Sequence, residues 1–168
     1  SHSMDIAKEL VKSDRFETIM FPLNFVASEA ADELLPLARE HDVGFIAMKP
    51  LAGGMLANVA IAFKYLLQFP NVVILTGIEK PHEIDEIIKI FEEPWQITVS
   101  EKREMQRIRE GLGNNFCRRC DYCQPCTEGI PISTVMGFPS LIKRIPPWKI
   151  VSGFVADAME KAVDCTKC

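Results

Sequence analysis

Six cysteines carry the clearest chemical signal in this 168-residue chain, and all of them lie in its last third. Four follow one another with two residues between neighbours, and two more stand at the same spacing at the carboxyl end: Cys117, Cys120, Cys123, Cys126, Cys165 and Cys168. A 4Fe–4S cluster presents four iron corners to thiolates, and a chain that coils around it reaches three corners with this spacing. We therefore predict a 4Fe–4S cluster, for which these six cysteines are the candidate metal ligands.

Zinc is the alternative metal for the same residues. Two Cys-x2-Cys pairs form a tetrahedral zinc site, and Cys165 with Cys168 would supply one of them. A four-thiolate zinc site leaves two of the six thiols unused, which favours the cluster. Disulfides or free thiols fit less well, because secreted disulfide scaffolds spread cysteines through a small chain, whereas the first 116 residues here have none.

The bulk composition is that of a globular protein, with 48% hydrophobic and 25% charged residues. The net charge of −4 disfavours nucleic acid as a partner. No apolar run reaches the roughly 20 residues that span a bilayer, and the beginning of the chain does not resemble a signal peptide. We expect a soluble, cytoplasmic protein that binds neither nucleic acid nor a membrane.

Charge divides the chain near its first cysteine. Up to Glu110 there are 12 basic and 18 acidic residues, and after it 7 basic and 5 acidic, so the formal charge changes from −6 to +2. This shift predicts a boundary near residues 111–115. We expect one domain over 1–110 and a second over 111–168.

Apolar segments that begin near residues 18, 43 and 72 predict three strands with helices between them. Residues 43–48 are apolar without alternation, as expected of a strand that is buried on both faces. After the segment with four cysteines, the sequence predicts a mixed, proline-rich stretch up to Trp148 and then a helix over 152–163. Strand spacings of 25 and 29 residues are those of βα units, which occur both in open doubly wound sheets and in (β/α)8 barrels. A whole barrel needs about 250 residues, so residues 1–110 would be about half of one.

The order of these segments resembles the aldo-keto reductase family. Residues 1–3 match the loop after the family's fifth strand, 17–24 the sixth strand, 45–54 the seventh with its Pro-Leu-x-x-Gly turn, and 72–86 the eighth. The chain from about Gly111 is similar to the ferredoxin-like iron–sulfur extension of one branch of the family.

The resemblance implies an α/β fold: a partial (β/α)8 TIM barrel, made of the last four βα units without their first strand, followed by a small, mostly helical and loop iron–sulfur domain. The chain is then a fragment. The missing N-terminal half of the protein, or a partner chain, would cover its open sheet edges.

This resemblance implies that the protein is an NAD(P)-dependent aldo/keto oxidoreductase. Its barrel would be fused to a 4Fe–4S module that exchanges electrons with a redox partner protein. The cofactor contacts that it implies are Ser1, His2, Met48, Leu51, Gly53, Gly54 and Lys80. The two glycines let backbone N–H groups approach a phosphate. Glu79 and Glu83 repel the 2′-phosphate of NADP, so the choice of cofactor leans to NAD.

The family's catalytic Asp, Tyr, Lys and His lie on four strands that this sequence lacks. Neither Tyr65 nor Tyr122 stands at the position of the family's catalytic tyrosine. No catalytic residue is therefore predicted, and the chain alone should not reduce a carbonyl.

In the family's two-cluster arrangement, Cys126 joins Cys165 and Cys168, while the other three cysteines take a fourth ligand from further sequence. The alternative function is a zinc-stabilised, non-catalytic interaction module.

Overall fold

Two compact units make up the chain, Ser1–Gly113 and Asn114–Cys168. The structure, a computed structural model, describes residues 2–112 and 116–168, and the side chains of 143 and 144 lie outside the description. Part of the predicted boundary at 111–115 therefore falls outside the described residues. Each unit is taken by itself below.

A parallel sheet of three strands forms the centre of the first unit. The strands are β1 (Thr18–Pro22), β2 (Gly44–Met48) and β3 (Val72–Leu75), in the order β1-β2-β3. Each begins within one residue of the predicted position, because short apolar runs bounded by turn residues are a local signal. Ile19, Phe45 and Val72 share one row of the register, and Met20, Ile46 and Val73 share the next.

Five helices accompany this sheet within residues 2–112: α1 (Met4–Lys12), α2 (Glu29–Glu40), α3 (Val59–Leu67), α4 (Pro81–Glu92) and α5 (Val99–Leu112). Helix α2 buries Ala30, Leu34, Leu35 and Ala38, which recur at helical spacing. The N-cap of α3 is Asn58, whose side-chain oxygen accepts the backbone N–H of Ile61 at 3.1 Å.

Helices α1, α2 and α3 cover one face of the sheet. Ile19, Phe21, Phe45 and Ala47 are buried there against α1, α2 and Leu66 of α3. A second cluster joins Phe25, Leu56 and Ile61 to Met105 of α5. The opposite face carries Met20, Ile46, Met48, Val73 and Leu75, and among these Val73 and Leu75 are 62% and 47% exposed. Strand residues therefore alternate between a covered and an open face.

The predicted partial (β/α)8 barrel of four βα units is wrong. The described residues contain three strands, and β1 and β3 are both edges of an open sheet. Strand spacing misled the prediction, because βα units of the same length build open sheets and barrels alike. The uniformly apolar segment 43–48 suggested burial on both faces, whereas its side chains alternate between buried and partly exposed. The fold is a small α/β fold with a three-stranded parallel sheet.

The second unit is helical where it is regular, with α6 (Ile132–Arg144), α7 (Pro147–Ile150) and α8 (Phe154–Lys161). Helix α6 lies in the stretch predicted to be mixed and proline-rich, and it contains Pro139. A proline inside a helix removes one backbone hydrogen bond, so packing must supply the difference. Both α7 and α8 pack against α6. None of the helices described in either unit has the length and apolar character needed to span a bilayer.

Candidate functional sites

The first candidate site is the loop that carries four of the six cysteines. Described residues 116–131 form turns with neither helix nor strand. Arg119 and Asp121 have φ angles of 52° and 59°, in the left-handed region that residues other than glycine rarely adopt. These residues turn the backbone between cysteines, and the backbone N–H of Arg119 donates to the Sγ atom of Cys117 at 3.3 Å. Hydrogen bonds to sulfur are one way in which proteins tune iron–sulfur clusters.

Gln124 holds the second half of this loop in shape. Its Nε2 atom donates to the carbonyl oxygen of Ile130 at 2.9 Å, and its Oε1 atom accepts the backbone N–H of Cys126 at 3.0 Å. The loop segment that contains Cys126 is therefore tied to the segment that precedes α6. A polar residue between two cysteines thus has a structural role that its spacing alone does not reveal.

All six cysteines are described, and all are free thiols. Cys123, Cys165 and Cys168 are exposed and the other three are partly exposed. Their thiol chemistry fits a 4Fe–4S cluster or zinc. Within the described residues, however, no three His, Cys, Asp or Glu side chains lie close enough to hold a metal ion. Binding a metal therefore requires the thiols to converge from the positions that they have here.

A cavity of about 480 Å³ opens beside the cysteine loop, inside the second unit. Cys126 forms part of its lining, together with apolar groups from the loop and from α8, among them Ile130 and Phe154. Lys161 lies on the same wall, and its Cε atom stands 3.3 Å from where a Cβ at Gly129 would be. The cavity leaves room next to one of the candidate ligands.

The second candidate site is the carboxyl end of the parallel sheet, which carries the predicted cofactor residues that follow β2 and β3. The structure brings together His2, which precedes α1, and Lys49, which follows β2, with 2.9 Å between the Nε2 and Nζ atoms. Met48 ends β2 and lies in register with Leu75 of β3. Ser1 lies outside the described residues.

Leu51, Gly53 and Gly54, the predicted phosphate-binding residues, form a tight turn after β2. The backbone N–H of Gly54 donates to the Leu51 carbonyl at 2.8 Å, and Leu56 donates to the same oxygen at 3.2 Å. Gly53 and Gly54 have φ angles of 69° and 90°, which explains why glycine stands there. The turn is thus closed largely by its own backbone.

Lys80, the last predicted cofactor residue, directly precedes α4 on the loop after β3. The Glu83 carboxylate accepts the backbone N–H groups of Glu79 at 2.7 Å and Lys80 at 3.1 Å. These hydrogen bonds, that from Glu79 first, lower the pKa of Glu83. The Glu83 carboxylate therefore binds the backbone at the beginning of α4.

Two side chains near the sheet have roles that the sequence pattern does not show. Asn24 is 2% exposed, and its Nδ2 atom donates to the Lys49 carbonyl at 2.9 Å. The sequence feature that could have revealed this role is a single amide side chain, that of Asn24, inside an otherwise apolar stretch. Tyr65 packs edge-on against Phe25 and Phe69, and burial raises its pKa. Its surroundings are those of a core residue.

Comparison with protein-family models, with curated proteins and with solved structures gives no match for this chain. The functional argument therefore depends on the chemistry of the two candidate sites.

Proposed function

We propose that residues 116–168 bind a 4Fe–4S cluster and form the electron-transferring part of an NAD(P)-linked oxidoreductase of the aldo-keto reductase kind. The observation that carries this proposal is the run of four thiols at three-residue steps in a segment with neither helix nor strand. Such a segment can fold around a cluster, because it has no helical or sheet hydrogen bonds that would have to break first.

Three further features support cluster binding. The Arg119 N–H already donates to the Cys117 sulfur. Arg118 and Arg119 place positive charge beside thiolates that a cluster requires in their anionic form. The cavity beside Cys126 provides space within the unit. When bound, a 4Fe–4S cluster would supply one-electron transfer.

The decisive experiment is purification of the full chain without oxygen, with reconstitution by iron and sulfide. We expect a brown protein with about four iron and four inorganic sulfide per chain. A colourless protein that binds zinc at one ion per chain, and no sulfide, would support the zinc-stabilised interaction module instead. Protein that retains neither metal would contradict both assignments.

A nicotinamide cofactor is proposed for the first unit, at the turn that contains Leu51. The test is a titration with NADH and NADPH, followed by nicotinamide fluorescence. Leu51→Asp and Leu51→Asn have nearly the same shape and differ by one negative charge. If the turn lies against the cofactor's pyrophosphate, the Asp variant should bind NADH at least about tenfold more weakly than the Asn variant. Equal affinities would exclude this turn as the phosphate site.

The proposal includes a cytoplasmic location, where reducing conditions keep thiols available for metal binding. It also includes a redox partner protein that accepts or donates single electrons. The missing N-terminal half of the protein, or a partner chain, would supply all the catalytic residues. The cluster and nicotinamide experiments are independent, so either part can fail alone.

A further inference from the structure

Three large apolar side chains are exposed where α7 is followed by α8. Trp148 is 64% exposed, Val151 78% and Phe154 66%. Val151 is the C-cap of α7 and stands three residues after Trp148, a spacing that places two side chains on the same side of a helical turn. Single exposed apolar side chains are common, whereas a group of them marks a contact surface. Residues 146–155 are called the α7–α8 corner below.

The sequence around this corner is positively charged. Residues 129–156 contain Lys143, Arg144 and Lys149 and neither aspartate nor glutamate, so their formal charge is +3, whereas the whole chain carries −4. The Nζ atom of Lys149 lies 5.2 Å from the centre of the Trp148 ring, so a positive charge accompanies the largest apolar side chain. Charges act over about 8 Å at physiological ionic strength, and the local excess therefore governs what approaches the corner.

Several hydrogen-bond donors of the corner are absent or already paired. Pro146 and Pro147 have no backbone N–H group. The N–H groups of Lys149 and Val151 donate to the carbonyls of these two prolines, at 2.9 and 3.2 Å respectively. The Ser152 hydroxyl donates to the backbone carbonyl four residues before it. Unpaired donors are costly to move into apolar surroundings, and the pairing here lowers that cost.

An anionic lipid surface fits these features better than a protein partner does. A protein–protein interface carries about one hydrogen bond per 100–200 Å², and a corner with paired donors is poorly suited to form them. A lipid surface accommodates tryptophan and phenylalanine among its headgroups and attracts lysine and arginine to its phosphates. The expectation of no membrane partner rests on the lack of a spanning segment, and a contact at the surface needs none.

We propose that the α7–α8 corner binds the surface of an anionic phospholipid membrane. Trp148, Val151 and Phe154 enter the layer between headgroups and acyl chains. Lys149 stays beside the lipid phosphates, because its long side chain keeps the charge in polar surroundings. A single contact of this size is weak and reversible. The site lies in the second unit and depends on neither a cluster nor a nicotinamide cofactor.

The test is binding of the full chain to vesicles of phosphatidylcholine, with and without an equal amount of phosphatidylserine. The chain has two tryptophans, so Trp95→Phe makes Trp148 the only one that reports. With phosphatidylserine, Trp148 emission should move to shorter wavelength, and its quenching by acrylamide should fall at least about twofold. Vesicles of phosphatidylcholine alone should bind at least about tenfold more weakly. Salt at about 1 M should weaken binding to the anionic vesicles.

Matched variants locate the contact. Val151→Asp should lower binding to the anionic vesicles at least about tenfold, because it places a negative charge among the inserted side chains. Val163→Asp makes the same change at an exposed valine outside the corner and should have little effect. Lys149→Gln should lower binding about fivefold. Lys102→Gln, the same change at an exposed lysine of α5, is its control.

Three results would overturn the proposal: no binding to either kind of vesicle, equal binding to both, or equal losses in Val151→Asp and Val163→Asp. Analytical ultracentrifugation without lipid adds a fourth, because a dimer that Val151→Asp dissociates would assign the corner to a second copy of the chain. If a variant fails to fold, cosedimentation of the unchanged chain with the two kinds of vesicle decides. None of these measurements depends on bound iron or NADH, so the proposed function is tested separately.

Discussion

Lys64 of α3 donates to the Oε1 atom of Glu101 in the first turn of α5 at 2.8 Å, and both side chains are more than four-fifths buried, with 16% and 18% of their surface exposed. The other oxygen of Glu101 accepts the backbone N–H of Thr98 at 2.7 Å, while the Thr98 hydroxyl accepts the Glu101 N–H. One carboxylate therefore caps α5 and joins it to α3. These bonds, together with the packing of Met105, attach α5 to the first unit.

Replacing Glu101 by Gln should lower the free energy of unfolding of the first unit by about 1–2 kcal/mol near pH 7. The amide keeps the shape of the carboxylate but loses the charge that binds Lys64. Urea denaturation, followed by Trp95 fluorescence in a Trp148→Phe background, measures this loss. Glu110→Gln, an exposed change in the same helix, is the matched control and should have little effect.

The same carboxylate makes stability depend on pH. The hydrogen bond from Lys64, followed by the Thr98 N–H bond, lowers the pKa of Glu101 below 4.5. Its contribution is therefore present above the unfolded-state pKa and is lost as the pH falls through the folded-state pKa. Between about pH 7 and pH 3 the wild-type protein should lose more stability than Glu101→Gln. Parallel acid curves for the two proteins would contradict this linkage.

The two faces of the sheet should differ in their tolerance to truncation. Phe45→Ala removes a ring that is 2% exposed and should cost about 3–5 kcal/mol. Val73→Ala acts on the open face, at a residue 62% exposed, and should cost less than about 1 kcal/mol. Chemical denaturation measures both. A large cost at Val73 would mean that this face is covered in solution.

Glycine should be tolerated better than lysine at position 49 as far as the backbone is concerned. Because the φ angle is 57°, Lys49→Gly should raise the stability of the first unit by about 0.5–1 kcal/mol. Asn71→Gly is the comparison, since Asn71 has a φ of 66° but asparagine accepts this region readily. A gain at Lys49 no larger than that at Asn71 would show that the backbone is not strained there.

Serine substitutions should separate the cysteines by their role in metal binding. Under the proposed cluster assignment, Cys120→Ser should lower bound iron and sulfide at least several-fold after anaerobic reconstitution. Thr127→Ser, a change of similar size directly after Cys126, should leave both unchanged. Iron content that is insensitive to Cys117→Ser, Cys120→Ser and Cys123→Ser together would exclude the loop as the cluster site. Loss of zinc binding in the same variants would identify them as zinc ligands.

Much of the first unit follows from local sequence. Apolar runs bounded by turn residues place all three strands. Helix α6 does not follow from local sequence, because Pro139 and Gly137 lower the helix propensity of this segment. Packing against α7 and α8 compensates for the low propensity. The predicted cluster ligands and cofactor contacts remain predictions.

By itself, the sequence determined the spacing of the six thiols, the positions of the three strands in the first unit and the change of charge between the two parts of the chain. These are properties of neighbouring residues. Only the tertiary structure decided that the described residues form a sheet of three strands with one open face, and that Lys49 meets His2 across 47 positions. The physical reason is that periodicity specifies which side of an element is apolar, whereas the contacts of that side depend on how distant elements pack.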